Sequence, residues 1–348
     1  MPSGYFYRVN AETPTRFWIN NPSGADMDRA IAAGAINCTT NPAYCSKLFA
    51  SDPDYIRGVI DDVIRESDDD EVAAIRVYRR VTARVIERFL PLYEQSSGEV
   101  GYVTMQDDPR VDENPEAIIR AALRNRTLGK NFMAKIPVIE AGLEALEACV
   151  EENIPICATE VFSTAQASRM CEMYERAARR TGNWPVFFVT HISGIFDEYL
   201  RKTAEREGIE ISPAAIDQAG CTIARKEYHM LRERGYRTTL LGGGARGLHH
   251  FTEMVGGDVH VTINWSTAKE LMEVDGPVVS RIDAEPPQSV IDELCDKFVD
   301  FRKAYYEDEL SVEEFAGYGP VQLFRNAFLK GYYLLLAEIA SRRHALAL

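Results

Sequence analysis

Eight short runs of apolar, strand-favouring residues recur along the chain with helical patterns between them, and this alternation restricts the fold more than any other feature. The runs are RFWIN (16–20), INCTT (36–40), VGYVTMQ (100–106), NFMAKIP (131–137), ICATEVF (156–162), VFFVTHI (186–192), RTTLLGG (237–243) and DVHVTIN (258–264). Most are continuously apolar rather than alternating, as strands of a parallel sheet are when both faces are covered. Stretches such as PEAIIRAALRN, GLEALEACVEE and TAQASRMCEMYERAARR supply the helices between them. Eight βα units predict a closed (β/α)8 TIM barrel. A doubly wound open sheet, which usually has fewer strands, is the runner-up.

Two connections are too long for one helix each. Residues 42–99 and 193–236 predict extra helices after strands two and six, and SVIDELCDKFVDFRKAYYEDEL and VQLFRNAFLKGYYLLLAEIASRRHALAL predict two more after strand eight. The last has a broad apolar face, suited to packing across the barrel or to a subunit interface, so a homodimer is compatible with it. The acidic run at 68–71 reads as a loop or a helix start. No low-complexity linker interrupts residues 1–348, which are expected to form one domain.

Composition narrows the function. A formal net charge of -14 disfavours nucleic acid and anionic membranes as partners. No apolar run approaches the roughly 20 residues of a membrane span. The first residues, MPSGYFYRVNAETPTRFW, lack a basic-then-apolar signal pattern, and seven cysteines carry no CxxC pair. Both features fit a reduced, cytoplasmic protein without a zinc site.

Within NFMAKIPV, Lys135 stands alone among apolar neighbours. Alternation along a strand puts Met133, Lys135 and Pro137 on one face. Facing inward, the ammonium would be desolvated, its pKa lowered, and its amine made a nucleophile for carbonyls. Facing outward, it would snorkel between helices. Polar residues end every strand around it: Asn20, then Thr39, Thr40 and Asn41, then Gln106, Thr159 and Glu160, Thr190 and His191, and Asn264, with GGGARG after strand seven. In a barrel these ends make the active site.

CTTNP (38–42), MAKIPVIEAGLEAL (133–146), TEVFSTAQA (159–167) and LLGGGARG (240–247) together resemble the transaldolase family, which includes fructose-6-phosphate aldolase. The resemblance implies a class I enzyme in which Lys135 forms a Schiff base with a ketose. Carbon–carbon cleavage, formation or transfer of a dihydroxyacetone-type unit would follow, with no metal or organic cofactor. It implies that Thr39 and Asn41 contact substrate hydroxyls, that Thr159 helps hold a water, and that Arg246 binds a phosphate. Thr190 completes the expected substrate-binding set. The Arg246 role also has a basis in the glycine-rich loop, since barrels often collect phosphate after strands seven and eight.

The departures are equally specific. The family's aspartate after strand one is Asn20, and its glutamate after strand three is Gln106. An asparagine on strand five is Cys157, the serine two residues before the phosphate arginine is Gly244, and a second arginine is replaced by Gly194 or Ile195. Amides orient water but do not take its proton. Asn20 and Gln106 therefore enter as catalytic-site residues that position groups, and a new proton carrier is required. Candidates are His191, whose ordinary pKa suits the task, Glu160, Asp107 and Asp108. On a regular strand Glu160 faces the helices if Thr159 faces the site. A specialised substrate fits these changes, as does a barrel retained to bind or sense sugar phosphates.

GGGARG contains G-x-G-x-x-G but lies late in the chain and lacks the following acidic residue, so a dinucleotide site is set aside. His249 and His250 lack a second ligand pair at helical spacing and are set aside as a metal site.

Overall fold

The computed structural model describes residues 4–346. Its eight strands close into one barrel in the order β1 to β8, every neighbouring pair parallel. They are β1 (Arg16–Asn20), β2 (Asn37–Thr39), β3 (Val103–Met105), β4 (Phe132–Pro137), β5 (Ile156–Val161), β6 (Phe187–His191), β7 (Thr239–Gly242) and β8 (Val259–Ile263). This is the (β/α)8 barrel that the alternation predicts.

The pleat divides each strand between two cores. Trp18, Tyr102, Met133, Cys157, Phe188 and Leu241 meet inside the barrel, while Ile19, Val103, Ala134, Ala158, Val189 and Leu240 join the larger layer between strands and helices. The inner layer fills the floor. Trp18 Nε1 donates to His260 Nδ1 at 2.9 Å, which gives the buried ring an acceptor role. Burial holds the His260 imidazole well below its ordinary range, at about 3, so the floor is uncharged. Thr39, Lys135, Thr190 and Thr262 lie above it, toward the C-terminal strand ends.

Three helices follow β2 (Tyr44–Ser51, Pro53–Glu66 and Asp70–Gln95), two follow β6 (Ser193–Glu207 and Pro213–Glu233), and four follow β8 (Trp265–Val274, Gln288–Lys297, Val299–Tyr305 and Gly319–Ala345). The acidic run at 68–71 is a helix start, because the Asp69 carboxylate caps Asp70–Gln95 by accepting from the Glu71 and Val72 amides. The predicted helix at 289–310 is split by Phe298, whose extended backbone (φ -126°) separates two shorter helices. The additional helix Tyr5–Glu12 precedes β1, and Phe6 stacks on Phe17 with ring centroids 4.2 Å apart. The final helix crosses the barrel mouth, touching Tyr44–Ser51, Asp70–Gln95, Ser193–Glu207 and β5. No described helix is long and apolar enough to cross a membrane.

Candidate active site

Lys135 faces into the barrel. It shares the inward face of β4 with Met133, pairs in register with inward-facing Cys157, and is only 7% exposed. Burial is the main cause of a lowered pKa; the nearby Cys157 and Glu160 act against it without reversing it. The Phe328 ring, from the final helix, lies 5.5 Å from the Lys135 Nζ. Phe324, Ala327 and Phe328 roof a cavity of about 230 Å³ that Lys135 shares with Asn20, Thr39, Asn41, Thr190 and Arg246. Water is thus displaced by the barrel below and the helix above. A buried amine held toward its neutral form is chemically a nucleophile.

The hydroxyls and amides around this cavity are preset. Thr39 Oγ1 donates to Asn20 Oδ1 at 3.0 Å and lies 2.7 Å from Thr262 Oγ1, and Asn20 Nδ2 donates to Asn264 Oδ1 at 3.0 Å. Asn20 therefore uses both ends of its amide, a donor role an ionised aspartate could not fill. The Cys157 Sγ lies 3.1 Å from Thr190 Oγ1, and burial pushes its thiol up, keeping it neutral. Asn41 Oδ1 accepts from the Ala43 amide, turning the chain from β2 into the next helix.

Arg246 lines the cavity rim, where its Nε donates to Glu198 Oε2 at 2.8 Å. Its loop is braced from below. The Arg246 and Gly247 amides donate to His250 Nδ1 at 3.3 and 3.2 Å, so the ring proton sits on Nε2, 2.9 Å from Asp197 Oδ2. Asp197, His249 and His250 are grouped closely enough to resemble metal ligands, yet both nitrogens of His250 are already engaged. Gly194 is required where it stands: a Cβ there would lie 2.3 Å from the Gly244 carbonyl oxygen. Of the two positions that could align with the missing arginine, Ile195 is the one lining the cavity.

Two expectations fail on side-chain direction. His191 does not look into the mouth. Thr190 takes the inward position on β6, so His191 faces the helices, fully buried, with Nδ1 3.0 Å from Glu227 Oε1 on Pro213–Glu233. Glu160 does not face the helices. The β5–β6 register shifts between Ala158 and Val161, and Glu160 adopts φ +61°, rare for a side chain of its size. This irregularity puts two consecutive side chains, Thr159 and Glu160, on the lysine side. Glu160 Oε1 accepts from Gln106 Nε2 at 2.8 Å. Burial and the negative charge of Asp112 push its carboxyl up to about 7, against the Gln106 hydrogen bond, Lys135 and Arg325. Thr159 Oγ1 and Gln106 Oε1 are buried without a partner among the described residues.

Asp107 and Asp108 are committed elsewhere. Asp107 pairs with Arg124 and Asn125, and Asp108 with Arg110, in the loop before the helix Pro115–Asn125. Lys47, which the sequence reading missed, also lines the cavity. It sits on the helix Tyr44–Ser51, where nothing in its sequence separates it from a surface lysine.

Comparison with known proteins gives the family of the chain. The family model described as Transaldolase/Fructose-6-phosphate aldolase matches residues 17–315. Transaldolases of Mycobacterium tuberculosis and Mycobacterium bovis are 28% identical over 211 residues, covering 57% of this chain and 55% of theirs. A Neisseria meningitidis transaldolase is 26% identical over 205 residues, covering 53% and 57%. The chain thus spans about half the length of the curated relatives it matches. Among solved structures, the methanol:cobalamin methyltransferase complex of Methanosarcina barkeri aligns at 12% identity over 80% of this chain and 78% of that one. Its TM-score of 0.36 is too low to inform function.

Proposed function

Because the chain belongs to the transaldolase/fructose-6-phosphate aldolase family, we propose that it is a class I enzyme whose Lys135 forms a Schiff base with a phosphorylated ketose. One observation carries the reading: the Lys135 amine, desolvated and held toward neutrality, opens onto a cavity lined by hydroxyls and amides. The amine nitrogen attacks the ketone carbon. After loss of water, the iminium takes up electron density as the adjacent carbon–carbon bond breaks, and the reverse flow forms such a bond. Thr39, Asn20 and Thr190 orient the sugar hydroxyls, and Thr159 with Gln106 orients water. No step of this chemistry needs a metal or an organic cofactor.

The anionic end of the substrate belongs at Arg246. Lys47 supplies a second positive charge at the same cavity, where the family's second arginine is replaced. Glu198 holds Arg246 in place until a phosphate competes for it. Asn20 keeps the geometry of a proton-transferring aspartate without its basicity, which supports a specialised substrate over the ordinary dihydroxyacetone transfer.

Borohydride reduction in the presence of fructose 6-phosphate tests the proposal. A stable adduct on Lys135, identified by peptide mass and lost in Lys135→Ala, is expected. Failure of both fructose 6-phosphate and dihydroxyacetone to label Lys135 would leave a binding protein. Arg246→Ala should weaken labelling by fructose 6-phosphate about 10- to 100-fold, the worth of a charged hydrogen bond. Labelling by unphosphorylated dihydroxyacetone should be unaffected.

A further inference from the structure

A Schiff base cannot form or hydrolyse without a proton carrier, because the carbinolamine must lose its oxygen as water and later regain one. In this site the two positions next to the lysine that the family fills with carboxylic acids hold amides, Asn20 and Gln106. The residues considered as replacements divide cleanly. His191 lies on the wrong face of β6, and Asp107 and Asp108 are tied to arginines in an outer loop. Asp107, Asp108 and Asp112, which line a second cavity with Lys135, are each ion-paired to an arginine, whereas Glu160 is bonded only to a neutral amide and is placed by the irregularity in β5.

We propose that the acid–base group of this enzyme has moved from the end of β3 to β5, so that Glu160 is the catalytic proton carrier and Gln106 orients it. Two independent features support this. The strand departs from regular pairing at Glu160 and holds a non-glycine residue at φ +61°, a conformation that costs about 1–3 kcal/mol in general and persists where a site requires it. The carboxyl is 1% exposed yet hydrogen-bonded on one oxygen to Gln106, the residue standing where the displaced acid would be. The charged groups facing Glu160 are Lys135 on β4, Asp112 in the loop after β3, and Arg325 on the final helix. They leave the carboxyl near its titration midpoint at neutral pH, able to give or take a proton.

The step balances as follows and rests on the Schiff-base reading above. Protonated Glu160 gives its proton to the carbinolamine oxygen. The C–O bond breaks with its electron pair leaving on water, and the Lys135 nitrogen lone pair forms the C=N⁺ bond. In hydrolysis the carboxylate takes a proton from the attacking water as its oxygen bonds to the iminium carbon.

The test follows the rate of borohydride-trapped adduct on Lys135 with fructose 6-phosphate between pH 5 and 9. In the native protein the rate should fall on the alkaline side with a midpoint near 7, as Glu160 loses its proton. A lysine limb has the opposite sign, rising with pH, so the two are separable. Glu160→Gln, which keeps the contact with Gln106, should slow trapping by about 10²- to 10⁴-fold and remove the alkaline fall. Trapping at the native rate with the fall retained would overturn the proposal. If Glu160→Gln does not fold, the exchange variant Gln106→Glu/Glu160→Gln decides. A folded exchange variant that traps slowly and without the native alkaline fall supports Glu160 as the carrier; one that traps at the native rate with that fall retained overturns it. A native protein that never labels Lys135 would instead remove the Schiff base itself, a separate result from any of these.

Discussion

Glu160 and Glu227 are buried to the same degree, each at 1% exposure or less, and burial pushes both carboxyls up. They differ in what surrounds them. Glu227 lies outside the barrel, on Pro213–Glu233, with the imidazole of His191 as its partner. Glu160 lies at the C-terminal end of β5, with a neutral amide as partner and the lysine amine near enough to influence its titration. A raised pKa alone does not distinguish a catalytic acid from a structural one. Access to a reacting atom does, and the proposed role of Glu160 depends on one irregular residue step in β5.

The largest expected effect that could break this contrast is on turnover. Glu160→Gln should cost about 10²- to 10⁴-fold in ketose turnover while Glu227→Gln leaves it unchanged. Equal losses in the two variants, measured by steady-state kinetics at a temperature where both are folded, would erase the distinction. The next effect is on stability. His191→Ala strands Glu227 without its partner and should lower unfolding free energy by about 3–5 kcal/mol in urea titrations, with the rate per folded molecule retained. A lost rate in fully folded His191→Ala would return that histidine to the chemistry.

The smallest effect sharpens the comparison through pH. A carboxyl raised from about 4.3 when unfolded to about 7 when folded binds more protons in the native state between those values. Its stability contribution is therefore full below the unfolded pKa and is lost as pH rises through the folded one. The urea midpoint of the native protein should fall between pH 5 and 7.5 more steeply than that of Glu160→Gln. Parallel slopes would mean that Glu160 titrates as it does in water.

The barrel was legible because it rests on strict periodicity, whereas alternation grouped Lys135 with Met133 and Pro137 and left open which face they share. Eight apolar runs closed as eight parallel strands, and the closed barrel put Lys135 beside Cys157 in the interior. The same rule misled wherever neighbours or irregularities mattered. Thr190 and His191 are adjacent, so one regular strand could not turn both inward. Glu160 was assigned outward by alternation, and the register shift reversed it. No composition signal marks such a shift in ICATEVF, because it is imposed by pairing with β6. The roof over the lysine was partly legible: the apolar face of the final helix was visible, but its contact with the mouth depends on tertiary docking.

That roof has a consequence for timing. Gly319–Ala345 follows all eight strands in the chain, so on the ribosome the barrel can close while its top is still open to water. During that interval Lys135 behaves as an ordinary hydrated ammonium, inert toward the aldehydes and ketones of its surroundings. Docking of Phe324 and Phe328 beside the amine would then dry it, so the proposed nucleophile would be armed only once its pocket is finished.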